Sequence, residues 1–502
     1  MIRFGEMFED HMVLQCRKPV QIWGTCDAEQ ERITVRLHDV TGVDVVSSGI
    51  FQVTLPPMEP GGPYELQVSC CGEELVLQDV LIGEVWLAGG QSNMEMPLFA
   101  AEGAYEYLAG TRFRQLRLKT ISRRSCSAEG TEYGFHFIPE TSDPVPWKVA
   151  DFESAAAFSA IGVVAGQYIQ QELDVPVGII SCNYGATRIQ PWVSMKTLKR
   201  SPVFAGDIER FQARREALGA EADSSWKAFQ KSLQPLIRDR NTFMGRSLQD
   251  PLYYCTLDNA LRWPPEYATG DQNEPGCLYR LMLARVFPYT LRGVLWYQGE
   301  SSATHEDCYR YKAEMEALID DWRCAFQDPS LAFVQAQLAP YDTSRRRDPC
   351  DWPAVRQAQA EVCHSRKDVY LTSLIGLGEE RLIHPRYKIE AGVRMANTAL
   401  ANVYNRPAPE APYADHIRRD GEWLEIRFRH GKGLRRTEEA LQLECGADGV
   451  FSPATESEIL ENGLWVRTSE REVRYGWCGY PTEGLKNKDD LAAMPFTLKE
   501  KK

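Results

Sequence analysis

The sequence predicts an α/β fold built on a parallel sheet, flanked by N- and C-terminal β-domains. Three observations carry this expectation. Near-continuous apolar runs rich in Val, Leu and Ile occupy residues 80–88, 176–182 and 292–298, and each stops at a cluster of glycine and polar residues. Strands of that kind are buried on both faces, as in parallel sheets. Helical stretches alternate with them: "AAAFSAIGVVAGQYIQQEL" precedes the second run and "RYKAEMEALIDDWRCAF" follows the third, the order of an α/β layered domain. Both ends of the chain instead alternate apolar and polar residues between turn signals, which marks half-buried strands.

In chain order, residues 1–80 hold the strand-like segments "QIWGTC", "ERITVRLHDV", "IFQVTLPP" and "PYELQVSC", with "PPMEPGGP" as a turn-rich connector. Short strands so spaced predict a small β-sandwich. Residues 81–405 form the α/β domain. Within it, residues 200–276 read as an insertion near its rim. Their first half is polar and helical ("DIERFQARREALGAEADSSWKAFQKSL") and their second half, "DNALRWPPEYATGDQNEPG", is loop-like; long insertions of this kind often carry function. From residue 406 to 502 the alternation returns in "EWLEIRFRH", "GLWVRTS" and "REVRYGW", predicting the C-terminal β-domain.

Composition narrows the function classes. With 502 residues the chain exceeds what one hydrophobic core serves, so two or three domains are expected. A formal charge of −13, from 57 basic and 70 acidic residues, argues against nucleic acid, whose binding rests on neutralising phosphate. The basic runs Arg123-Arg124 and 345–347 read as solvated loops. No run of about 20 apolar residues predicts a membrane span, and the charged start "MIRFGEMFEDHMV" predicts no secretory signal. The 14 cysteines are scattered, without C-x-x-C or a His/Cys cluster at zinc spacing. They read as reduced thiols of a cytoplasmic protein, with no metal and no cofactor expected.

The chemistry gathers where the buried runs end: Gly90-Gln91-Ser92-Asn93, Asn183-Tyr184-Gly185-Ala186-Thr187 and Gln298-Gly299-Glu300-Ser301. In open parallel sheets, ligands bind beyond the carboxyl ends of the strands. A serine on a glycine-supported turn presents its Oγ to substrate. Acyl transfer then needs a base, and donors preorganised for the oxyanion. The backbone N–H groups of Ser92 and Gly185 and the side-chain amide of Gln298 fit the donor role. Of eight histidines, His384 is the best base: it follows the apolar segment "DVYLTSLIGLG" and precedes a helix. His11, His38, His416 and His430 lie in the β-domains, while His136, His305 and His364 lack such a context. Arg188 offers a bidentate guanidinium to a substrate carboxylate or is an ordinary ion-paired arginine. Trp192 and Trp296 are candidates for stacking on sugar faces, with burial in the core the favoured alternative.

The blocks "GEVWLAGGQSNMEMPL", "FSAIGVVAGQYIQQELDVPVGIISCNYGATRIQPWVS", "YTLRGVLWYQGESS" and "IHPRYKIEAGVRMA" resemble the sialate O-acetylesterase family of SGNH hydrolases. "MVLQCRKPVQIWGTC", "GGPYELQV" and "VRYGWCGYPTEGLKNKDDLAAMPF" extend the resemblance to both β-domains. The resemblance implies a three-layer SGNH-hydrolase domain and removal of acetyl esters from sugar hydroxyls, sialic acids above all, without metal or organic cofactor. It also implies Ser92 as nucleophile, His384 as general base, Gly185 and Gln298 as oxyanion donors, and Asn93 as a supporting polar residue. Asn93, Arg188 and Glu300 are then expected on the substrate side. Three positions depart from the family: Leu382 stands where an Asp usually precedes the histidine, Ala186 replaces a second glycine, and Gln190 replaces a glutamate. The acid that orients His384 is therefore Glu300, Glu379 or Glu380, or a backbone carbonyl serves and the pair is a Ser-His dyad. The expected partner is an O-acetylated sugar: O-acetylated sialic acid first, then acetylated plant glycans such as xylan or mannan. A carbohydrate-binding protein without turnover is the alternative of a different class.

Overall fold

The computed structural model describes residues 1–122, 144–238, 240–260, 267, 271–304, 307–345, 350–438 and 441–500. Arg123, Arg124, Arg346, Arg347, His136 and His305 lie outside these. The chain forms two compact units: Met1–Trp296 with Glu314–Phe333, and Tyr297–Ala313 with Val334–Lys502.

The first unit is organised around one long strand. The strands β1 (Val13–Gln15), β2 (Gly61–Cys70), β3 (Glu73–Gly90), β4 (Leu116–Thr120), β5 (Val177–Asn183) and β6 (Gly293–Tyr297) belong to one mixed sheet. The 18 residues of β3 change character midway. Its first half pairs antiparallel with β2, Cys70 opposite Glu73. Its second half pairs in parallel with β1 and β5, Asn183 opposite Gly90. The first half is half-exposed, while every residue from Val80 to Gly90 is buried. Burial on both faces explains the change from alternating to continuous apolar sequence. Each buried Val or Leu side chain there contributes about 1.5–3 kcal/mol.

Two helices matter for the site. A single helical turn, α1 (Ser92–Glu95), follows β3 directly and is wholly buried. The helix α2 (Ala160–Leu173) starts where Ser159 Oγ accepts from Gly162 N–H at 3.1 Å. The same hydroxyl donates to Met94 O at 2.6 Å and so anchors α1. A Cβ at Gly166 would approach Ile179 Cγ1 to 2.6 Å, so only glycine lets α2 lie this close to β5.

An ion pair on a buried carboxylate ties the sheet together within the parallel half of β3, at Glu84. Arg292 Nε and Nη2 reach the Glu84 carboxylate at 2.6 and 3.0 Å. Gln15 Nε2 and Cys16 Sγ also donate to it, at 3.0 and 3.1 Å. Burial alone would raise the Glu84 carboxyl, but Arg292, Gln15 and Cys16 outweigh it and hold the group below the usual value.

After a single 3-10 turn, Pro202–Phe204, the insertion forms the long helix Asp207–Arg238, matching its polar helical sequence. Asp258 to Ala260 close the helix Pro251–Ala260, so the segment read as loop-like begins as helix. Most of the rest of that segment is outside the described residues.

The second unit carries β7 (Ala332–Ala336) from Val334 onward and β8 (Val369–Thr372), linked where Gln337 N–H donates to Thr372 O at 2.9 Å. The helices α3 (Trp352–Ser365) and α4 (Lys388–Asn402) pack beside β8. The C-terminal segments "EWLEIRFRH", "GLWVRTS" and "REVRYGW" form the strands Trp423–Arg429, Gly463–Arg467 and Glu472–Tyr475. They belong to two four-stranded antiparallel sheets over one core that includes Leu424, Ile426, Leu464, Val466 and Val473. The structure is therefore mixed α/β with additional β-sheet regions.

Candidate active site

In the first unit, two neighbouring strand ends bring together the candidates from β3 and β5. Tyr184 N–H donates to Gly90 O at 3.0 Å, extending the β3–β5 ladder to the point where both strands stop. Gly90 has φ +134°, a conformation that strains any residue with a Cβ. The chain can therefore turn sharply after β3 and place Ser92 at the start of α1. Ser92 is 7% exposed and Asn93 2%. Gln91 O accepts from Met94 and Glu95 N–H, and Ser92 O from Met96 N–H, so the turn is fixed by its own backbone.

The loop after β5 carries Gly185 and Arg188. Thr187 Oγ1 donates to Tyr184 O at 2.8 Å and accepts from Trp192 Nε1 at 3.1 Å. Asn273 zips the same loop shut: its Oδ1 accepts from Arg188 N–H at 3.0 Å, and its Nδ2 donates to Ala186 O at 2.9 Å. Ala186 has φ +55°, the left-handed region that explains the family's preference for glycine there. Gln190 Nε2 donates to the buried Glu314 carboxylate at 3.0 Å. A glutamate at 190 would place two carboxylates in contact, and the amide removes that repulsion. Trp192 and Trp296 are fully buried and cross edge-on at 6.1 Å. They are core residues and not sugar platforms, because no ring face remains exposed.

In the second unit, Gln298 and Glu300 follow β6 and are buried. Gln298 O accepts from Tyr311 Oη at 3.0 Å and from Gln359 Nε2 at 3.1 Å, and its side-chain Nε2 donates to Ser302 Oγ at 3.0 Å. The amide is thus held in one orientation, as a preorganised donor must be. Gly299 has φ +147°, and a Cβ there would press on Leu338 and Val355 at 3.1 Å. Lys388 Nζ lies 5.8 Å from the Tyr297 ring centre, a cation–π contact that sets the start of α4 beside this strand end.

His384 sits, half-buried, on the loop between β8 and α4. Glu379 closes that loop. Its carboxylate accepts from Arg386 N–H at 2.8 Å, from Nη2 at 2.7 Å and from Nε at 3.1 Å, and Leu382 N–H donates to Glu379 O at 3.2 Å. Of the three candidate acids, Glu379 is committed to Arg386, Glu380 is exposed, and Glu300 is buried. The Glu379–Arg386 staple and the Asn273 zip escaped the sequence reading. Residues seven and more than eighty positions apart leave no local pattern.

A cleft of 920 Å³ in the first unit lies beside α1, lined in part by Glu95, Thr120, Ser159 and Ser181. Among the described residues, no group of three or more His, Cys, Asp or Glu side chains is arranged to hold a metal ion. Nor is any helix there long and apolar enough to cross a membrane.

Comparison with known proteins adds to this geometry. Residues 263–401, which include Gln298, Glu300 and His384, match the family model described as carbohydrate esterase, sialic acid-specific acetylesterase. Sialate O-acetylesterase of Rattus norvegicus is 27% identical, with 99% of this chain and 94% of the relative covered. The Homo sapiens protein of that name is 26% identical over 96% of this chain and 88% of the relative. The chain resembles the sialate O-acetylesterase family. The relatives it resembles are sialate and carbohydrate acetylesterases, which are hydrolytic enzymes. The crystal structure of a carbohydrate acetylesterase from Xanthomonas citri superposes with a TM-score of 0.75 at 25% identity, covering 99% of both chains. The resemblance to sialate O-acetylesterases therefore spans the β-rich ends as well as the α/β region.

Proposed function

We propose that this protein is a serine esterase of the SGNH type that removes O-acetyl groups from carbohydrates, O-acetylated sialic acids first among them, through an acyl-enzyme intermediate. The observation that carries the reading is the paired strand end: Gly90 and Tyr184 are bonded across it, Ser92 opens α1 on one side and Gly185 follows on the other. Ser92 Oγ attacks the acetyl carbonyl while His384 takes its proton. The N–H groups of Ser92 and Gly185 and the Gln298 amide receive the oxyanion. The sugar oxygen leaves with the proton from His384, and water then repeats the sequence on the acetyl-serine. Asn93, Arg188 and Glu300 serve substrate binding, Arg188 as partner for an acidic sugar. The orienting group for His384 is a backbone carbonyl, so that Ser92 and His384 work as a dyad.

The second reading is an acetylesterase for other acetylated glycans, favoured by the broader description of the Xanthomonas citri relative. Acetate release from O-acetylated sialic acids, acetylated xylan and acetylated mannan, measured side by side, separates the two. A kcat/KM at least tenfold higher on the sialic acids supports the first. The reverse order replaces it with the second, and no release from any of them removes the esterase reading.

A further inference from the structure

Where the strands of the second unit stop, side chains of α3 take over the hydrogen bonding of the backbone. Trp352, Arg356 and Gln359 are spaced i, i+4 and i+7, so they share one face of the helix, and all three are buried. Buried polar groups need partners, and the partners here are backbone groups at or beyond a strand end. Trp352 Nε1 donates to Ala339 O at 2.9 Å. The Arg356 guanidinium donates to Leu338 O at 2.8 Å, to Ala339 O at 3.0 Å, and to Cys478 O and Gly479 O at 2.8 Å each. Gln359 reaches the strand end that carries Gln298. Its Nε2 donates to Gln298 O at 3.1 Å and to Ala336 O at 3.2 Å, while its Oε1 accepts from Leu338 N–H at 3.0 Å. With both donors and one acceptor position engaged, the amide acts as a peptide group set between Gln298 and the end of β7.

Gln298 O accepts a second hydrogen bond, at 3.0 Å, from Tyr311 Oη at the start of the helix Tyr311–Ala325. Two helices therefore grip one carbonyl. Gly299 then turns the chain away at φ +147°, and a Cβ there would stand 3.2 Å from Gln359 Nε2, so glycine lets the amide come this close. On the other side of the turn, Ser302 N–H donates to Gly299 O at 3.0 Å and Ser302 Oγ accepts from the Gln298 side chain at 3.0 Å. The backbone from which the Gln298 side chain springs is thus held before and after it. Gln359 and Tyr311 have no exposed surface, so neither can offer a group to substrate. What they can set is the aim of Gln298, and a donor to an oxyanion works only where it is aimed.

We infer that Gln359, together with Tyr311, is a positioning residue for ester hydrolysis: it holds the Gln298 backbone so that the Gln298 amide meets the oxyanion. The inference rests on the esterase reading, in which Gln298 is an oxyanion donor. The experiment is a double-mutant cycle in the full chain, with p-nitrophenyl acetate as substrate and circular dichroism to confirm folding. Gln298→Ala removes the donor but keeps the gripped carbonyl, and should lower kcat about 100-fold. Gln359→Met keeps the shape and loses all three hydrogen bonds. It should lower kcat about tenfold by misplacing the donor, with KM within about twofold of the wild type and the pH midpoint of kcat, set by His384, unmoved. Added to Gln298→Ala, it should cost less than about twofold more, because the group it aims is already gone. If Gln359→Met does not fold, Tyr311→Phe runs the same cycle, with an expected loss of about threefold and the same readings. Wild-type kcat in the positioning variant, a moved pH midpoint, or losses that multiply in the double variant overturn the positioning role while leaving the esterase reading in place. Wild-type kcat in Gln298→Ala overturns the donor and the positioning role together. A wild type that hydrolyses no acetyl ester removes the esterase reading itself, and this role with it.

Discussion

Replacing Glu379 by glutamine separates a catalytic acid from a loop staple. In the structure the carboxylate receives three hydrogen bonds from Arg386, and both side chains are 17% exposed. Glutamine keeps the shape and one acceptor oxygen but loses the charge and one leg of the fork. Hydrogen bonds to charged groups contribute about 1.5–3 kcal/mol, and partial exposure places this pair near the lower end. If all of that loss, about 1.5 kcal/mol, appeared as misplacement of His384, kcat would fall roughly tenfold. His384→Ala removes the base itself and should cost at least about a thousandfold, roughly 4 kcal/mol of barrier. Steady-state kinetics of Glu379→Gln, Glu300→Gln, Glu380→Gln and His384→Ala on one acetyl ester, with circular dichroism to confirm folding, make the comparison. Any of the three glutamine variants as inactive as His384→Ala would identify a carboxylate partner for the imidazole and refute the dyad.

The remaining predictions follow from other parts of the structure. Glu84→Ala removes the buried carboxylate that the half-buried Arg292, Gln15 and Cys16 bond and should destabilise the first unit by about 3 kcal/mol, the lower end for breaking a buried pair, read as a lower denaturation midpoint. Because the Glu84 carboxyl is held below its ordinary value of 4.5, its stabilising contribution is complete above that pH and is lost as pH falls through the depressed native value. Acid denaturation of Glu84→Gln should accordingly be less steep than that of the wild type. Gly90→Ala forces a Cβ into φ +134°, a strain of about 1–3 kcal/mol. It should lower both the melting temperature and kcat, because Ser92 lies two residues on. Arg188→Ala should raise KM for an O-acetylated sialic acid and leave KM for a neutral acetylated sugar unchanged; equal effects on both would remove Arg188 from carboxylate recognition.

Much of the architecture was readable because burial leaves a compositional trace. The buried half of β3, β5 and β6 are runs of Val, Leu, Ile and Trp, and they ended where the sequence placed Gly90, Asn183 and Gln298. The strand β7 left a weaker trace, since the buried polar residue Gln335 interrupts its apolar run and Gln337 follows directly after it. Continuity across residue 80 was hidden for a different reason. One strand passes from a half-exposed antiparallel setting into a doubly buried parallel one, and the sequence pattern follows the setting. Ser92, Gly185 and His384 stood out through their neighbours in sequence. Arg356 did not, because a guanidinium satisfied by four backbone carbonyls has no partner residue type to announce it. The same holds for Arg386 and Asn273, whose roles exist only through contacts across loops.

The nucleophile is tested most directly by trapping the intermediate. The wild-type protein is mixed with a fast acetyl ester, quenched with acid during turnover, digested, and its peptides weighed by mass spectrometry. One acetyl group should appear on the peptide that contains Ser92, and it should be absent from Ser92→Ala, which should retain the fold and lose hydrolysis. Steady turnover with no acetyl group on that peptide, together with a Ser92→Ala variant that still hydrolyses the ester, would contradict the serine mechanism.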